Sequence, residues 1–383
     1  MTAGFRLAIA VDKRTADTLI RMNDAVRRVD SLLIELGRQG LQRATRSTST
    51  ELEAAAQVAH HARLTLVERE LLGLRSLIER YLDRDPLFRT DQLVERVGRL
   101  SLRVDAVRER LDAGALPEHL VPLVGAPRRT YEPLDEGVIV HPIAMTGWVT
   151  DSDFVGVTVT CHSPTLSRTV AISQARPTHY FGTDPSRLAW QPVSDGVTES
   201  LRELAHASWR VEGTRVSADG RLSLGGDTYL VPAASVGAAA FTPYAVDDLL
   251  GVLQRLAQHG SDPLARWEPP WVYLEPAHLG RRTVDDTAGV ARVPLTDAKG
   301  LRADLVVTLR AERKQRVRSM DHLGDPRHRP DGLVCRAHLA GDALSLEPLT
   351  AVFHEPVELT VGRRKLSTHL VHLDLEDLGR VQR

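Results

Sequence analysis

The feature of the sequence that most constrains the fold is a repeating apolar seam in its first third. Between residues 15 and 112, apolar side chains recur at alternating steps of three and four, the spacing that places them along one side of an α-helix. The first run of this kind consists of Leu19, Met22, Val26, Val29, Leu33 and Leu36. Charged residues lie between these positions, so the pattern predicts amphipathic helices that pack against one another along the seam.

Capping and helix-breaking residues divide the seam into three predicted helices. The first ends at Gly40. The second begins with a capping box of Thr50 and Glu53 and ends before Pro86, because a proline pushes the preceding residue out of the helical region. The third is capped by Thr90. The apolar positions of the second and third helices are Leu64, Val67, Leu71, Leu74, Ile78 and Tyr81, then Leu93, Val97, Leu100, Val104, Val107 and Leu111. Short connections predict an antiparallel three-helix bundle or coiled coil.

The seam leaves two interpretations open. Its side chains could pack only on one another, which is the usual fate of such a stripe. Part of it could instead recruit a partner protein or a second copy of this chain through helices 15–112, because a narrow stripe covers less surface than the apolar face of a globular helix.

The remainder of the chain has the character of β-structure. Short runs rich in Val, Ile and Thr alternate with Pro- and Gly-containing turns. A stiff segment with two prolines between tryptophans, residues 262–276, predicts a second boundary. We therefore expect a multidomain chain with a helical bundle at 1–116, a β-rich α+β domain at 117–261, and a mostly antiparallel β domain at 262–383.

Composition excludes several classes of protein. The formal net charge is −1, so no global field draws the chain to nucleic acid or to a membrane surface. The two cysteines, Cys161 and Cys335, cannot form a disulfide scaffold or a four-cysteine zinc site. In FVGVTVTC, Cys161 continues the face of three valines, which predicts a buried thiol. The weakly apolar N-terminus and the lack of a long apolar run predict a cytoplasmic protein without a membrane span.

The motifs that bind cofactors or support common hydrolytic reactions are missing. The sequence contains no phosphate-binding G-x-x-x-x-G-K-S/T loop, no G-x-G-x-x-G turn, no G-x-S-x-G elbow and no H-E-x-x-H pair. Cysteine and histidine stand close together in two strands, but alternation of side chains across a strand directs them to opposite faces. We therefore predict no catalytic residue and no cofactor.

One segment concentrates positive charge. The run RAERKQRVR, residues 310–318, contains Arg310, Arg313, Lys314, Arg316 and Arg318 against a single Glu312. If the preceding strand VVTL continues through it, the even-numbered residues form a basic stripe. Such a stripe could contact phosphates or an acidic partner surface, or it could be a solvated edge strand that its charge protects from pairing with other sheets.

The next segment, SMDHLGDPRHRPDGLVCRAH, holds Asp, His and Cys residues that suggest a metal site. Glycines and prolines make residues 324–332 a predicted loop, and a strand then directs Cys335 to an apolar face and His338 to the opposite one. A zinc ion would have to be held across the loop by His322, His328 and an aspartate. We favour a partner contact for these two histidines and predict no metal.

These observations favour recognition over catalysis. The main hypothesis is a non-catalytic cytoplasmic accessory or scaffold subunit that binds other proteins through its helical bundle and its C-terminal β region. The alternative is a nucleic-acid-associated subunit that uses the basic 310–318 stripe, and a metal-dependent hydrolase is favoured less. The candidate contacts to a partner or a phosphate are Arg310, Arg313, Lys314, Arg316, Arg318, His322 and His328.

Overall fold

The chain folds into two compact units. The computed structural model describes residues 12–85, 88–125, 130–150, 153–194, 196–234, 237–259, 269–340, 343–361 and 364–382. The described residues up to 125 belong to the first unit, and those from 130 onward belong to the second. The coarse expectation of a helical bundle followed by a β-rich α+β region is confirmed. Among the described residues, no helix combines the length and apolar character needed to cross a membrane.

The described part of the first unit is a bundle of four long helices. Its helices are α1 (Lys13–Gln39), α2 (Arg46–His61), α3 (Thr65–Leu82), α4 (Thr90–Asp112) and the single turn α5 (Val121–Val124). Short 3₁₀ turns at Leu41–Arg43 and Pro117–Leu120 precede α2 and α5. Asp12 caps the N-terminus of α1, because its side chain accepts a hydrogen bond from the Thr15 backbone N–H at 3.0 Å.

The prediction of three helices is wrong because the second predicted helix is two helices. The chain turns between α2 and α3 at Arg63, which adopts the left-handed conformation with φ 61°. The predicted capping box at Thr50 is also wrong, since α2 begins earlier with a capping box of Thr45 and Thr48. Leu64, the last residue before α3, is fully buried. The apolar seam therefore continues across the turn, and its periodicity does not reveal the break.

The seam side chains pack among themselves. Most of the predicted positions are buried in one apolar core, and the others lie partly buried at its edge. Helix α2 contributes small side chains, Ala55, Ala56 and Ala59, to this core, which allows a close approach of its neighbours. This packing agrees with the first of the two interpretations, and recruitment of a partner or of a second copy through helices 15–112 stays a prediction.

The second unit contains nineteen described strands. The first ten are β1 (Tyr131–Pro133), β2 (Val138–Val149), β3 (Phe154–Ser163), β4 (Arg168–Pro177), β5 (Pro192–Ser194), β6 (Val197–Ser200), β7 (Trp209–Glu212), β8 (Arg215–Ser217), β9 (Leu222–Ser223) and β10 (Tyr229–Pro232). The others are β11 (Trp271–Leu274), β12 (His278–Leu279), β13 (Thr283–Asp285), β14 (Val290–Thr296), β15 (Arg302–Thr308), β16 (Gly332–Ala340), β17 (Ala343–Val361), β18 (Arg364–His372) and β19 (Val381–Gln382).

Short helices connect these strands. They are α6 (Thr178–Phe181), α7 (Pro185–Leu188), α8 (Leu201–His206), α9 (Leu249–His259) and α10 (Lys314–Leu323), with 3₁₀ segments at Gly237–Tyr244, Ala311–Arg313 and Leu378–Arg380. Helix α8 begins with a capping box in which Ser200 and Glu203 satisfy each other's backbone N–H groups.

Two larger sheets organise the unit. An antiparallel sheet has the strand order β10-β7-β2-β3-β4. A mixed sheet has the order β11-β16-β17-β15-β14-β12, with β13 paired to β14 and with β18 and β19 paired to β17. Only β15 and β17 pair in parallel among the described strands of this sheet. The long strand β17 leaves its register with β18 between Val352 and Val357.

We expected the β-rich regions 117–261 and 262–383 as separate domains, but their described residues from 130 onward lie in one compact unit. A shared apolar cluster contains Ile143 and Phe241 from the first region and Tyr273 and Val352 from the second. The fully buried Glu376 also binds Arg202. The predicted boundary at 262–276 falls partly on residues 260–268, which lie outside the described residues.

Candidate functional site

The basic segment is not the predicted continuation of a strand. Strand β15 ends at Thr308, a 3₁₀ turn follows, and α10 begins at Lys314. Side chains therefore follow a helical rotation of about 100° per residue rather than the alternation of a strand. The predicted grouping of the even-numbered residues on one exposed face is wrong for this reason.

Arg316 faces the interior. Its side chain is 2% exposed and forms ion pairs with Asp374 and Glu347. Arg313 also binds Glu347. Burial disfavours charge on Glu347, but the nearby Arg316, Arg313 and Arg336 outweigh this effect and lower the pKa of Glu347 to about 2. Arg316 is therefore engaged with carboxylates in the interior, and the partly exposed Arg313 shares one of them, Glu347.

Two cations of the segment remain exposed. Lys314 and Arg318 lie one turn apart on α10, and neither forms an ion pair with any of the described residues. Arg310, by contrast, lies 3.8 Å from the Glu312 carboxylate. We call Lys314 and Arg318 the α10 cation pair.

The α10 cation pair lines a cavity of about 510 Å³. Acidic side chains line it too, but they have other partners. Asp374 binds Arg316 and accepts a hydrogen bond from the Gly147 backbone N–H at 3.2 Å. Asp184 caps α7 by accepting from the Ser186 N–H at 2.9 Å. The positive groups of this cavity are consequently the ones left to bind an additional ligand.

His322 and His328 lie together beyond the α10 cation pair. Their rings meet edge to face, with centroids 5.3 Å apart. His322 belongs to α10, and His328 follows it in the segment before β16. His328 lies 3.4 Å from Asp325, and the Arg327 side chain holds the pKa of Asp325 well below its usual range. Within the described parts of the chain, no three His, Cys, Asp or Glu side chains are arranged to hold a metal ion.

The two cysteines are in the core. Cys161 and Cys335 are both fully buried, as the strand alternation predicted. Burial raises the pKa of each thiol. Neither thiol is therefore a nucleophile at neutral pH.

A second cavity, which we call the histidine cavity, is about 260 Å³ in volume. It lies between β2, the end of α8, the 3₁₀ segment Gly237–Tyr244 and β18. Its lining residues include His141, His206, Ser208, Thr368 and His369. Apolar groups, among them Phe241, Pro356 and Leu370, complete the wall.

The histidines of this cavity are held in defined positions. His141 Nδ1 lies 2.8 Å from Ser208 Oγ. His206 Nε2 lies 2.6 Å from Glu376 Oε1, and its Nδ1 lies 3.0 Å from Thr368 Oγ1. His369 Nδ1 donates a hydrogen bond to the Phe353 carbonyl at 3.0 Å. These contacts fix the rings before any ligand binds.

The pair of Ser208 and His141 has the composition of a nucleophile and its base. Burial, with a smaller contribution from His162, lowers the pKa of His141 and keeps the imidazole neutral. A catalytic histidine also needs an orienting partner, and no carboxylate among the described residues contacts His141. The arrangement is therefore better suited to hydrogen-bonding a ligand than to acyl transfer.

Sequence reasoning did not identify the histidine cavity. His141 and Ser208 are separated by 67 positions, and His206 and Thr368 by 162. The only available signal was the occurrence of histidine inside apolar strand sequences, VIVHPIAM and THLVHLDL. Such histidines are commonly core residues with satisfied hydrogen bonds, so the signal is weak.

Comparison with known proteins bears on the bundle. Residues 23–122 match the model of the YehQ four-helical bundle domain, which agrees with four helices and not with three. The match covers about a quarter of the chain, so it describes the first unit alone. No curated protein matches the sequence.

Proposed function

We propose that this chain is a non-catalytic accessory protein that binds an acidic segment of a partner protein at the α10 cation pair, Lys314 and Arg318. The observation that carries the proposal is the exposure of these two cations beside a cavity of about 510 Å³, while Arg313 and Arg316 are bound to internal carboxylates.

Helix α10 presents the pair on a rigid support. Its inner face buries Arg316, Met320 and Leu323. Ser319 Oγ and Gln315 Nε2 donate hydrogen bonds to the Glu376 carbonyl at 2.9 and 3.3 Å. A cation on an anchored helix loses less conformational freedom on binding than one on a free loop, which favours recognition.

Binding to nucleic acid has less support. Phosphate backbones are recognised by many cations at once, whereas the folded segment leaves the α10 cation pair free and engages its arginines at 310, 313 and 316.

The apolar seam of the bundle is internal. Within this proposal, any contribution of the bundle to partner binding therefore comes from exposed residues such as Ile20 and Ile34 on α1.

The first test measures binding of a short fluorescent peptide of alternating Glu and Asp by anisotropy. We expect saturable binding that weakens with added salt. The double variant Lys314→Glu with Arg318→Glu should weaken it by about twofold to thirtyfold, since an exposed ion pair contributes about 0.2–1 kcal/mol. The matched control, Arg281→Glu with Arg302→Glu, reverses two exposed charges that do not line the cavity and should leave binding unchanged.

The same titration distinguishes the alternatives. A single-stranded oligonucleotide that binds more tightly than the peptide, with a steep salt dependence lost in the Lys314/Arg318 variant, would favour the nucleic-acid hypothesis. Peptide binding that is equal in both double variants would show that the α10 cation pair is not the site. Quantitative capture from the native host, with wild type and both variants, then identifies the partner as the protein lost only with the first variant.

A further inference from the structure

We propose that the histidine cavity binds a small uncharged molecule that carries a hydrogen-bond donor beside an acceptor, with a primary amide on an aromatic ring as the best match. Nothing in this inference depends on the α10 cation pair, and it adds a ligand site to the protein-binding role proposed above.

The volume limits the size of the ligand. An apolar cavity of about 150 Å³ accommodates benzene in a protein interior. The histidine cavity measures about 260 Å³, so by proportion it accommodates about ten non-hydrogen atoms. This is below the usual range of drug-sized ligand sites, about 300–1,000 Å³, and points to a single-ring compound.

The charge of the lining favours a neutral ligand. Among the described residues, the lining includes no Asp, Glu, Lys or Arg. The buried carboxylate of Glu376 is engaged by His206 and Arg202, so His206 is already paired. A charged ligand would lose part of its hydration without meeting an unpaired counter-ion among the described lining residues, which is costly.

The polar groups of the lining specify both a donor and an acceptor on the ligand. If Ser208 donates to His141 Nδ1, the pair still offers Ser208 Oγ as an acceptor and His141 Nε2–H as a donor. If His141 donates instead, the roles are exchanged, and one donor and one acceptor again remain. His369 uses Nδ1–H for the Phe353 carbonyl, which leaves Nε2 as its second ring nitrogen for a ligand contact.

Apolar side chains, among them Phe241, Pro356 and Leu370, complete the lining. Phe241 is fully buried and stacks on Tyr273 with centroids 5.2 Å apart. Pro356 lies where β17 leaves its register with β18. An apolar lining with a few convergent polar groups is the usual composition of a small-molecule site. A flat aromatic ring would pack on the apolar groups, and its amide would form hydrogen bonds with the polar groups.

The experiment titrates the full chain with benzamide, benzoate and toluene, using calorimetry and thermal melting near neutral pH. The three probes share a ring and differ in the group attached. We expect saturable benzamide binding that raises the melting temperature, with benzoate and toluene each at least about tenfold weaker. Ser208→Ala should weaken benzamide binding by about fivefold, and Ala240→Leu, which fills the cavity, should abolish it.

The matched control is Ser345→Ala. This serine is also buried in the second unit, and its hydroxyl has no hydrogen-bond partner among the residues that the structure describes. Its loss should therefore leave benzamide binding unchanged. If one of the cavity variants, Ser208→Ala or Ala240→Leu, no longer melts cooperatively, the binding measurement on the other variant tests the proposal. The proposal is overturned if benzamide does not bind, if benzoate binds equally well, or if the folded cavity variants bind benzamide like the wild type.

Discussion

At the scale of the residue, the pKa values of the buried ionisable groups in the second unit are set by burial and by neighbouring charges. Glu376 accepts from Arg202 Nη1 at 3.1 Å and from the His372 backbone N–H at 2.7 Å. Burial opposes its charge, but His206, His372 and Arg202 outweigh this and lower the pKa of Glu376 to about 2. For His372, burial is the dominant effect. It favours the neutral ring and lowers the pKa of His372 to about 4, although Glu376 partly offsets this.

These shifts predict a loss of stability on acidification in two steps. Between pH 6.5 and about 4, the unfolded chain protonates His372 while the folded chain keeps it neutral, so the free energy of unfolding falls as the pH falls. Between pH 4.5 and about 2, the carboxylates of Glu347 and Glu376 add a second loss with the same sign.

Urea unfolding across this pH range measures both steps. We expect His372→Gln to reduce the loss between pH 6.5 and 4 and to leave the lower step in place. The control His61→Gln alters an exposed histidine on α2 and should change neither step. An unaltered pH profile in His372→Gln would contradict the assignment of the upper step.

At the scale of the element, the sequence predicted helices more reliably than their ends. The seam from Leu19 to Leu111 is helical as expected, because apolar residues at helical spacing bury themselves whether or not the helix is interrupted. The break at Arg63 escaped prediction since an arginine carries no turn signal. The prediction that the strand continues through residues 310–318 is wrong for a related reason. The charged residues of this segment do not indicate whether a strand or a helix follows Thr308.

The turn at Arg63 makes a prediction that separates four helices from three. Arg63→Gly should raise the free energy of unfolding by about 0.5–1 kcal/mol, because glycine adopts φ 61° without the left-handed penalty of about 1–2 kcal/mol and loses only part of that gain to its larger unfolded-state entropy. The measurement is chemical denaturation monitored by helical circular dichroism.

A matched substitution tests the opposite sign. Arg69→Gly lies on the exposed side of α3 and should cost about 1 kcal/mol, as glycine does inside helices. If Arg63→Gly also destabilises by this amount, residues 62–64 are part of a continuous helix.

At the scale of the whole molecule, the second unit is a single body built from two stretches of chain. Arg202 is buried against Glu376 and the Leu375 carbonyl, and its guanidinium lies 4.8 Å from the centroid of the Trp190 ring. It therefore connects the antiparallel sheet region to the segment that follows β18. Removal of one partner from a buried pair typically costs about 3–5 kcal/mol.

We predict that Arg202→Met increases hydrogen exchange in β2–β4 and in β16–β18 together, while the helices α1–α4 keep their wild-type protection. Exchange mass spectrometry of the intact chain measures this. Arg210→Met removes an exposed partner of Glu212 and should leave exchange unaltered. Increased exchange confined to one of the two strand groups would show that they open independently.

The sequence by itself determined the elements whose signal is local and periodic. It predicted the helical first third, the β-rich remainder and the burial of Cys161 and Cys335, because the spacing of apolar residues indicates which face of a helix or strand is buried. Tertiary structure alone decided which cations stay exposed. Arg316 and Arg318 look alike in the sequence, but Asp374 and Glu347 come from other strands and turns, and only the fold brings them to Arg316. The same holds for the histidine cavity, since Ser208 and His141 become partners only when distant strands pair.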